Sequence, residues 1–313
     1  MTVHYFHKKP TLCHTIVDKL QLIYYTQDKQ NHADVMTLID SASLDLGKPG
    51  YKWWKSKHCT YARHPLPDDQ YLWVQAGIAH GKTYAKFGFN PSKLTDDGWG
   101  QLHVLLDSTF EHGYATLYES AFLNYVEFAT DYGGVSIDDI VVIDPRCRTH
   151  NDDHEKQGTF YPGSKKGKNY SSIYDKAKQL KKAKPLCFID PLTRFERRMR
   201  GVKKTLIEID QLKNPFSRLI IADRKRLLAE KPHDIWTYLG QPIEAGNGII
   251  KCLLALPPPI KKAMIHRLRD YTTYWWQPDF VWEQTVAWSA SLHPSKVQQF
   301  NYSSPGFCKN LAA

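Results

Sequence analysis

Asn169-Tyr170-Ser171-Ser172-Ile173-Tyr174-Asp175-Lys176 and Leu192-Thr193-Arg194-Phe195-Glu196-Arg197-Arg198-Met199 are the two stretches on which the fold turns. Their aromatic and β-branched residues read as strands, separated by a lysine-rich segment, 178–184, that reads as a solvated helix or loop. Side chains two apart in a strand share a face. Tyr170, Ser172, Tyr174 and Lys176 therefore line one side of the first strand, and Arg194, Glu196, Arg198 and Arg200 one side of the second.

Upstream, residues 17–25, 71–76 and 84–89 read as strands, the last stopped by Asn90-Pro91. Residues 96–111 place Trp99, Leu102, Leu105, Leu106 and Phe110 near helical spacing, and Gly113 can close that helix. A strand over 125–132 follows, with Glu127 and Asp131 on one face. Ser136 and Asp139 then resemble a capping box opening a short helix that ends near Asp144-Pro145, before a polar loop over 146–169. Beyond Gly201 the pattern becomes helical, over 218–230, 246–256 and 260–274, with Pro257-Pro258-Pro259 breaking the last two. The expected fold is α+β: a mostly antiparallel sheet with flanking helices over 1–205, and a helical C-terminal subdomain over 206–313.

The chain of 313 residues is 42% hydrophobic, enough for a sizeable core, and carries a net charge of +10. That charge is concentrated: residues 165–226 hold 19 Lys and Arg against 6 Asp and Glu. A solvated basic face is one reading. Nucleic-acid binding is the other, favoured by Tyr170, Tyr174, Phe195 and Phe216 lying among the cations, where rings stack on bases beside phosphate contacts. The six cysteines lie at least forty residues apart, without a CxxC, so reduced thiols are expected and a zinc ribbon is not. No apolar run is long enough to span a membrane and none follows the N-terminal charges as a signal peptide, so a cytoplasmic protein without a membrane partner is expected.

A phenol and an ammonium on one strand face, Tyr174 and Lys176, suit covalent phosphoryl transfer: the phenol oxygen attacks phosphorus and the lysine stabilises charge on the non-bridging oxygens. Glu127, Asp131 and Glu196 offer hard oxygen donors for Mg²⁺ or Mn²⁺, although by themselves these residues favour structural ion pairs at a sheet edge. His150 and His154 stand at metal-ligand spacing in a segment that reads as solvated loop. Trp53-Trp54 and Trp275-Trp276 suit base stacking or core packing.

The run Phe160-Tyr161-Pro162-Gly163-Ser164-Lys165-Lys166-Gly167-Lys168, followed by Ile173-Tyr174-Asp175-Lys176, resembles the Y-x-G-S-(R/K)…I-Y-(D/N)-K block of rolling-circle replication initiators. These are the Rep_trans-type plasmid proteins and the filamentous-phage replication endonucleases. Thr193-Arg194-Phe195-Glu196-Arg197-Arg198 looks like their downstream R-(F/I)-E-x-(R/E) strand, and Asn90-Pro91-Ser92-Lys93 like the N-P-(S/A)-K element of the phage branch. The similarity spans roughly residues 15–220. The family's R-(I/L)-D appears here as Tyr125-Val126-Glu127, with glutamate for aspartate and no arginine. There is also no His-hydrophobic-His triplet.

The resemblance implies a sheet related to the HUH nucleases and a metal-dependent nicking-joining endonuclease. It makes Tyr174 the nucleophile, Lys176 its helper, and Glu127, Asp131 and Glu196 the ligands of Mg²⁺ or Mn²⁺. Ser164, Lys165, Lys166, Lys168, Tyr170, Arg194 and Arg198 would meet DNA. The implied partners are origin DNA, as a single-stranded or hairpin nick site with adjoining duplex, a second copy of the chain, and a bacterial host's helicase and polymerase. A non-enzymatic origin-binding protein is the alternative.

Overall fold

A computed structural model describes residues 9–26, 29–145, 150–151, 159–162, 167–183, 191–246 and 248–297. The fold is mixed α+β, with a large antiparallel sheet, flanking helices and a helical C-terminal region. The chain divides into two compact units, one of Val17–Glu127, Arg200–Leu212 and Val286–Ala313, the other of Met1–Ile16, Phe128–Met199 and Lys213–Thr285. Each unit is built from separate stretches of chain, because strands β1 (Thr11–Tyr25) and β6 (Phe122–Gly133) contribute to both. The expected boundary at residue 205 falls inside Arg200–Leu212.

In the Val17–Glu127 unit, α1 (Lys29–Leu44) is followed by a meander of β2 (Lys52–Lys55), β3 (Cys59–Leu66), β4 (Gln70–Ala79) and β5 (Lys82–Phe89), and β5 pairs with β1. The turn joining β4 to β5 is His80-Gly81, both at positive φ, the two-residue hairpin geometry that matches strand twist. Along β3 burial alternates residue by residue. Ala62, His64 and Leu66 thus share an inner face with Leu72, Val74, Phe87, Leu20 and Leu22.

Helix α1 covers that inner face. It is not among the elements expected from the sequence, although Val35, Leu38, Ile39 and Ala42, all buried, are spaced i, i+3, i+4, i+7. Helix α2 (Asp96–Asp107) starts where expected, the Thr95 hydroxyl accepting from Gly98 N at 3.3 Å. It stops four residues short of the expected end, where the Ser108 and Thr109 hydroxyls both donate to the Leu105 carbonyl at 2.8 Å and compete with the helical ladder. Gly113, at φ +49, opens α3 (Gly113–Ser120) instead of closing α2.

In the Phe128–Met199 unit, β8 (His150–Asn151), β9 (Thr159–Pro162), β10 (Asn169–Asp175) and β11 (Leu192–Arg200) lie in the order β11-β10-β9-β8. β10 ends one residue before the expected Lys176, which begins α4 (Lys176–Ala183). The short helix expected after Ser136 is a single 3₁₀ turn, Ile137–Asp139, running into β7 (Ile140–Ile143), which pairs with β12 (Ile220–Asp223). Both strands are β-branched runs, and β12 therefore takes the start of the helix expected over 218–230. That helix becomes α5 (Arg224–Glu230), its first turn capped by Asp223, which accepts from Arg226 N at 3.0 Å.

The C-terminal helices α6 (His233–Ala245), α7 (Ile249–Ala255) and α8 (Pro258–Arg269) close over β7 and β12 around Ile235, Leu239, Ile243, Leu253, Met264 and Leu268. Pro258 sits at the first turn of α8, where its missing N–H costs nothing. Helix α9 (Pro278–Ser289) follows. No helix among the described residues is long and apolar enough to cross a membrane.

Candidate active site

The antiparallel register of β10 and β11 sets Tyr174 opposite Arg194, Ser172 opposite Glu196, and Tyr170 opposite Arg198. Directly opposed residues share a face, so the period-two reading of each strand becomes one surface of six side chains. Its centre is the buried Glu196 carboxylate. Tyr174 Oη donates to Glu196 Oε1 at 2.7 Å, while Ser172 Oγ and Arg198 Nη2 donate to Oε2 at 2.7 and 2.8 Å. Burial, followed by the adjacent Glu196 charge, pushes the Tyr174 phenol well above its ordinary value. The phenol is therefore neutral at physiological pH and has a carboxylate within proton-transfer distance.

The neighbouring face position is closed by an ion pair. Arg194 Nε and Nη2 donate to Asp131 Oδ1 and Oδ2 at 2.6 and 2.8 Å, a two-bond fork with both partners buried. His14 Nε2 lies 3.1 Å from Asp131 Oδ2. Burial alone would raise the Asp131 carboxyl, but the hydrogen bonds from Arg194 and His14 bring it down to about 2. Asp131, expected as a metal ligand, thus has both oxygens committed to Arg194, and Arg194, expected to meet DNA, has its fork turned inward.

The sign of that shift makes a prediction. A carboxyl whose folded value is lowered from 3.8 to about 2 contributes stability that is complete above pH 3.8 and lost as pH falls through that window. The contribution is on the order of 2 kcal/mol. Thermal unfolding followed from pH 6 to pH 2 is expected to show a fall in Tm below pH 4 that is smaller in Asp131→Asn.

Lys176 lies at the start of α4, its Nζ donating to Gln179 Oε1 at 2.6 Å and standing 5.9 Å from the centre of the Tyr174 ring. Tyr170 is buried, stacked on Tyr161 at 5.9 Å with Arg198 over its ring at 5.5 Å. It packs rather than presenting a surface for DNA. Arg198 is partly exposed and Lys168 exposed. Ser164, Lys165, Lys166 and His154 lie outside the described residues, and His150 lies in β8.

In the Val17–Glu127 unit, Glu127 is buried and its Oε2 accepts from Tyr125 Oη at 2.5 Å. Its companion is Asp18, a carboxylate the sequence reading did not single out. One oxygen of each lies within 4.8 Å of the other. Ligand oxygens around an octahedral Mg²⁺ stand about 3–4 Å apart, so this pair fits a divalent cation after a small closure. Asp18 Oδ1 accepts from Ser92 Oγ at 2.9 Å, and Ser92 belongs to Asn90-Pro91-Ser92-Lys93, whose 3₁₀ turn Pro91–Lys93 sets that hydroxyl in place. The N-P-S-K element thus holds a carboxylate. Along β1 the phase of burial changes between Val17 and Leu20, and Asp18 sits at the slip. Strict alternation from Leu20 does not reach it.

No family model matches the chain, and no curated protein matches it. Among solved structures, the chain is similar to the Trypanosoma brucei AdoMetDC-delta26 monomer at 7% identity and a TM-score of 0.21, covering 61% of this chain and 66% of that one, just under two thirds.

Proposed function

We propose that this protein initiates rolling-circle replication as a strand-specific DNA nicking-joining enzyme with Tyr174 as nucleophile. The observation that carries the reading is the 2.7 Å hydrogen bond from the Tyr174 phenol to Glu196, on a chain whose positive charge is concentrated around both residues. Glu196 Oε1 takes the phenol proton as Oη bonds to phosphorus, and the bond from phosphorus to the 3′ oxygen breaks. The 3′ oxygen leaves with the electrons of that bond and takes up a proton, from the Glu196 carboxyl or from water, to become the 3′ hydroxyl. The products are a 5′-phosphotyrosyl strand and a primer end for host polymerase and helicase in a bacterial cytoplasm. Run backwards, the same steps rejoin the strand, with a second copy of the chain or water as the other nucleophile.

Ser172 and Arg198 hold the second oxygen of Glu196 and so fix which oxygen faces the phenol. Arg194 is a positioning residue, held by Asp131, and Lys176 and Arg198 are the cations assigned to phosphate. Support for Mg²⁺ or Mn²⁺ comes from the carboxylates Asp18 and Glu127, whose ligand oxygens lie within 4.8 Å of each other, with Asp18 taking the place assigned to Asp131. When bound, such an ion supplies charge at a non-bridging phosphate oxygen.

The test is conversion of supercoiled origin plasmid to open circles in Mg²⁺ or Mn²⁺, with the adduct trapped on the protein. Binding without any open circles or adduct would favour the non-enzymatic origin-binding reading. Glu196→Gln keeps the shape but removes the proton acceptor, and is expected to lower the single-turnover nicking rate about 10²–10⁴-fold with oligonucleotide binding retained.

A further inference from the structure

The meander has a second face. In register across the sheet lie Lys52–Arg63–Trp73–Gly88–Gln21, then Trp54–Tyr61–Gln75–Lys86–Ile23, and Pro65 is paired with Tyr71. These are the positions alternate to the inner face that α1 covers, so their side chains point away from the core. Trp54 and Trp73 are each 39% exposed although tryptophan is costly to leave in water.

The rings are fixed in place. Trp54 stacks on Tyr61 at 4.9 Å and 8°, and meets Trp73 edge-on at 5.8 Å. The Arg63 guanidinium lies 4.2 Å from the Tyr71 ring centre and 5.5 Å from that of Trp73, and its Nε donates to the Gly50 carbonyl at 2.7 Å. Gly88, opposite Trp73, has no side chain, and there the face opens into a cavity of about 780 Å³. Tyr71, Trp73 and Tyr125 line it with the exposed cations Lys19, Lys93 and Arg200, against one acidic residue, Asp69.

We propose that this face is a stacking platform for single-stranded DNA. Pre-ordered rings offer base-stacking surfaces at low entropic cost, and cations at the rim match a phosphate backbone. Three cations against one carboxylate at the rim match a polyanion, and duplex DNA keeps its bases stacked away from the rings. The choice of DNA rests on the nicking reading; the platform itself does not.

The probe is a fluorescent oligo-dT measured by anisotropy against the full chain carrying Tyr174→Phe, so that no nicking can contribute. Trp73→Ala and Trp54→Ala are each expected to weaken binding roughly 5- to 100-fold, with Trp73→Phe close to the parent. Lys19→Glu with Arg200→Glu, both exposed, reads the same surface if a tryptophan variant unfolds. A 5-iodouracil oligonucleotide is expected to crosslink to peptides from residues 52–73.

Unchanged affinity in both alanine variants, crosslinks confined to 165–226, or tighter binding of oligo-rU than of oligo-dT would overturn the proposal. Loss of oligo-dT binding in Trp73→Ala, together with no nicking of origin plasmid by the chain with Tyr174 intact, would leave the platform standing and overturn the nicking reading alone.

Discussion

Tyr174→Phe is expected to abolish nicking of origin plasmid, by about 10⁴-fold or more, while leaving the fold intact. The substitution removes only Oη. The ring keeps its place opposite Arg194, and Glu196 keeps its bonds from Ser172 and Arg198. The lost hydrogen bond costs about 1 kcal/mol, too little to unfold a domain of this size. Gel separation of open-circular from supercoiled plasmid reads the activity, and circular dichroism reads the fold. Nicking at the wild-type rate would remove Tyr174 from the mechanism. A residual rate carried by an adduct at another tyrosine would move the nucleophile.

Arg194→Ala is expected to be the most destabilising single change in the site, at about 3–5 kcal/mol, because it leaves the Asp131 carboxylate buried without its guanidinium. The pair lies beside the nucleophile, so nicking falls as well. Replacing both partners by apolar residues, Asp131→Leu with Arg194→Met, is expected to cost less than Arg194→Ala alone, since no unpaired buried charge remains. Urea unfolding of Arg194→Ala and of the double variant measures this directly. Two further variants separate a structural pair from a metal ligand: Asp131→Asn should leave the Mn²⁺ dependence of nicking unchanged, whereas Glu127→Gln should shift it to higher Mn²⁺. A shifted dependence in Asp131→Asn would return Asp131 to the metal.

How much of this was legible in the sequence follows from how local each feature is. The facing of Tyr174, Ser172, Glu196, Arg194 and Arg198 needed only the period of two in β10 and β11, and their pairing confirms one shared face. The helix expected after Ser136 failed for a non-local reason, since Ile140-Val141-Val142-Ile143 is a better strand than helix once Ile220-Ile221-Ala222-Asp223 is available to pair. That partner lies about eighty residues away, beyond the reach of any window along the chain.

The exposed rings of the meander were ambiguous for a similar reason. Trp53 and Trp54 differ only in parity, and which of them faces water depends on the side that α1 covers. Sequence by itself determined the class of fold, the strands that carry the candidate chemistry, and which residues share a face within each strand, because alternation along an extended chain is a property of the backbone; the pairing of β10 with β11 joined the two faces. Only the tertiary structure decided the partners of the other carboxylates. It paired Asp131 with Arg194 and His14, and set Asp18 beside Glu127 through a slip in β1 and a turn seventy residues on. Such pairings depend on which strands become neighbours and in what register, and that is fixed by burying the whole inner face at once, not by any one strand.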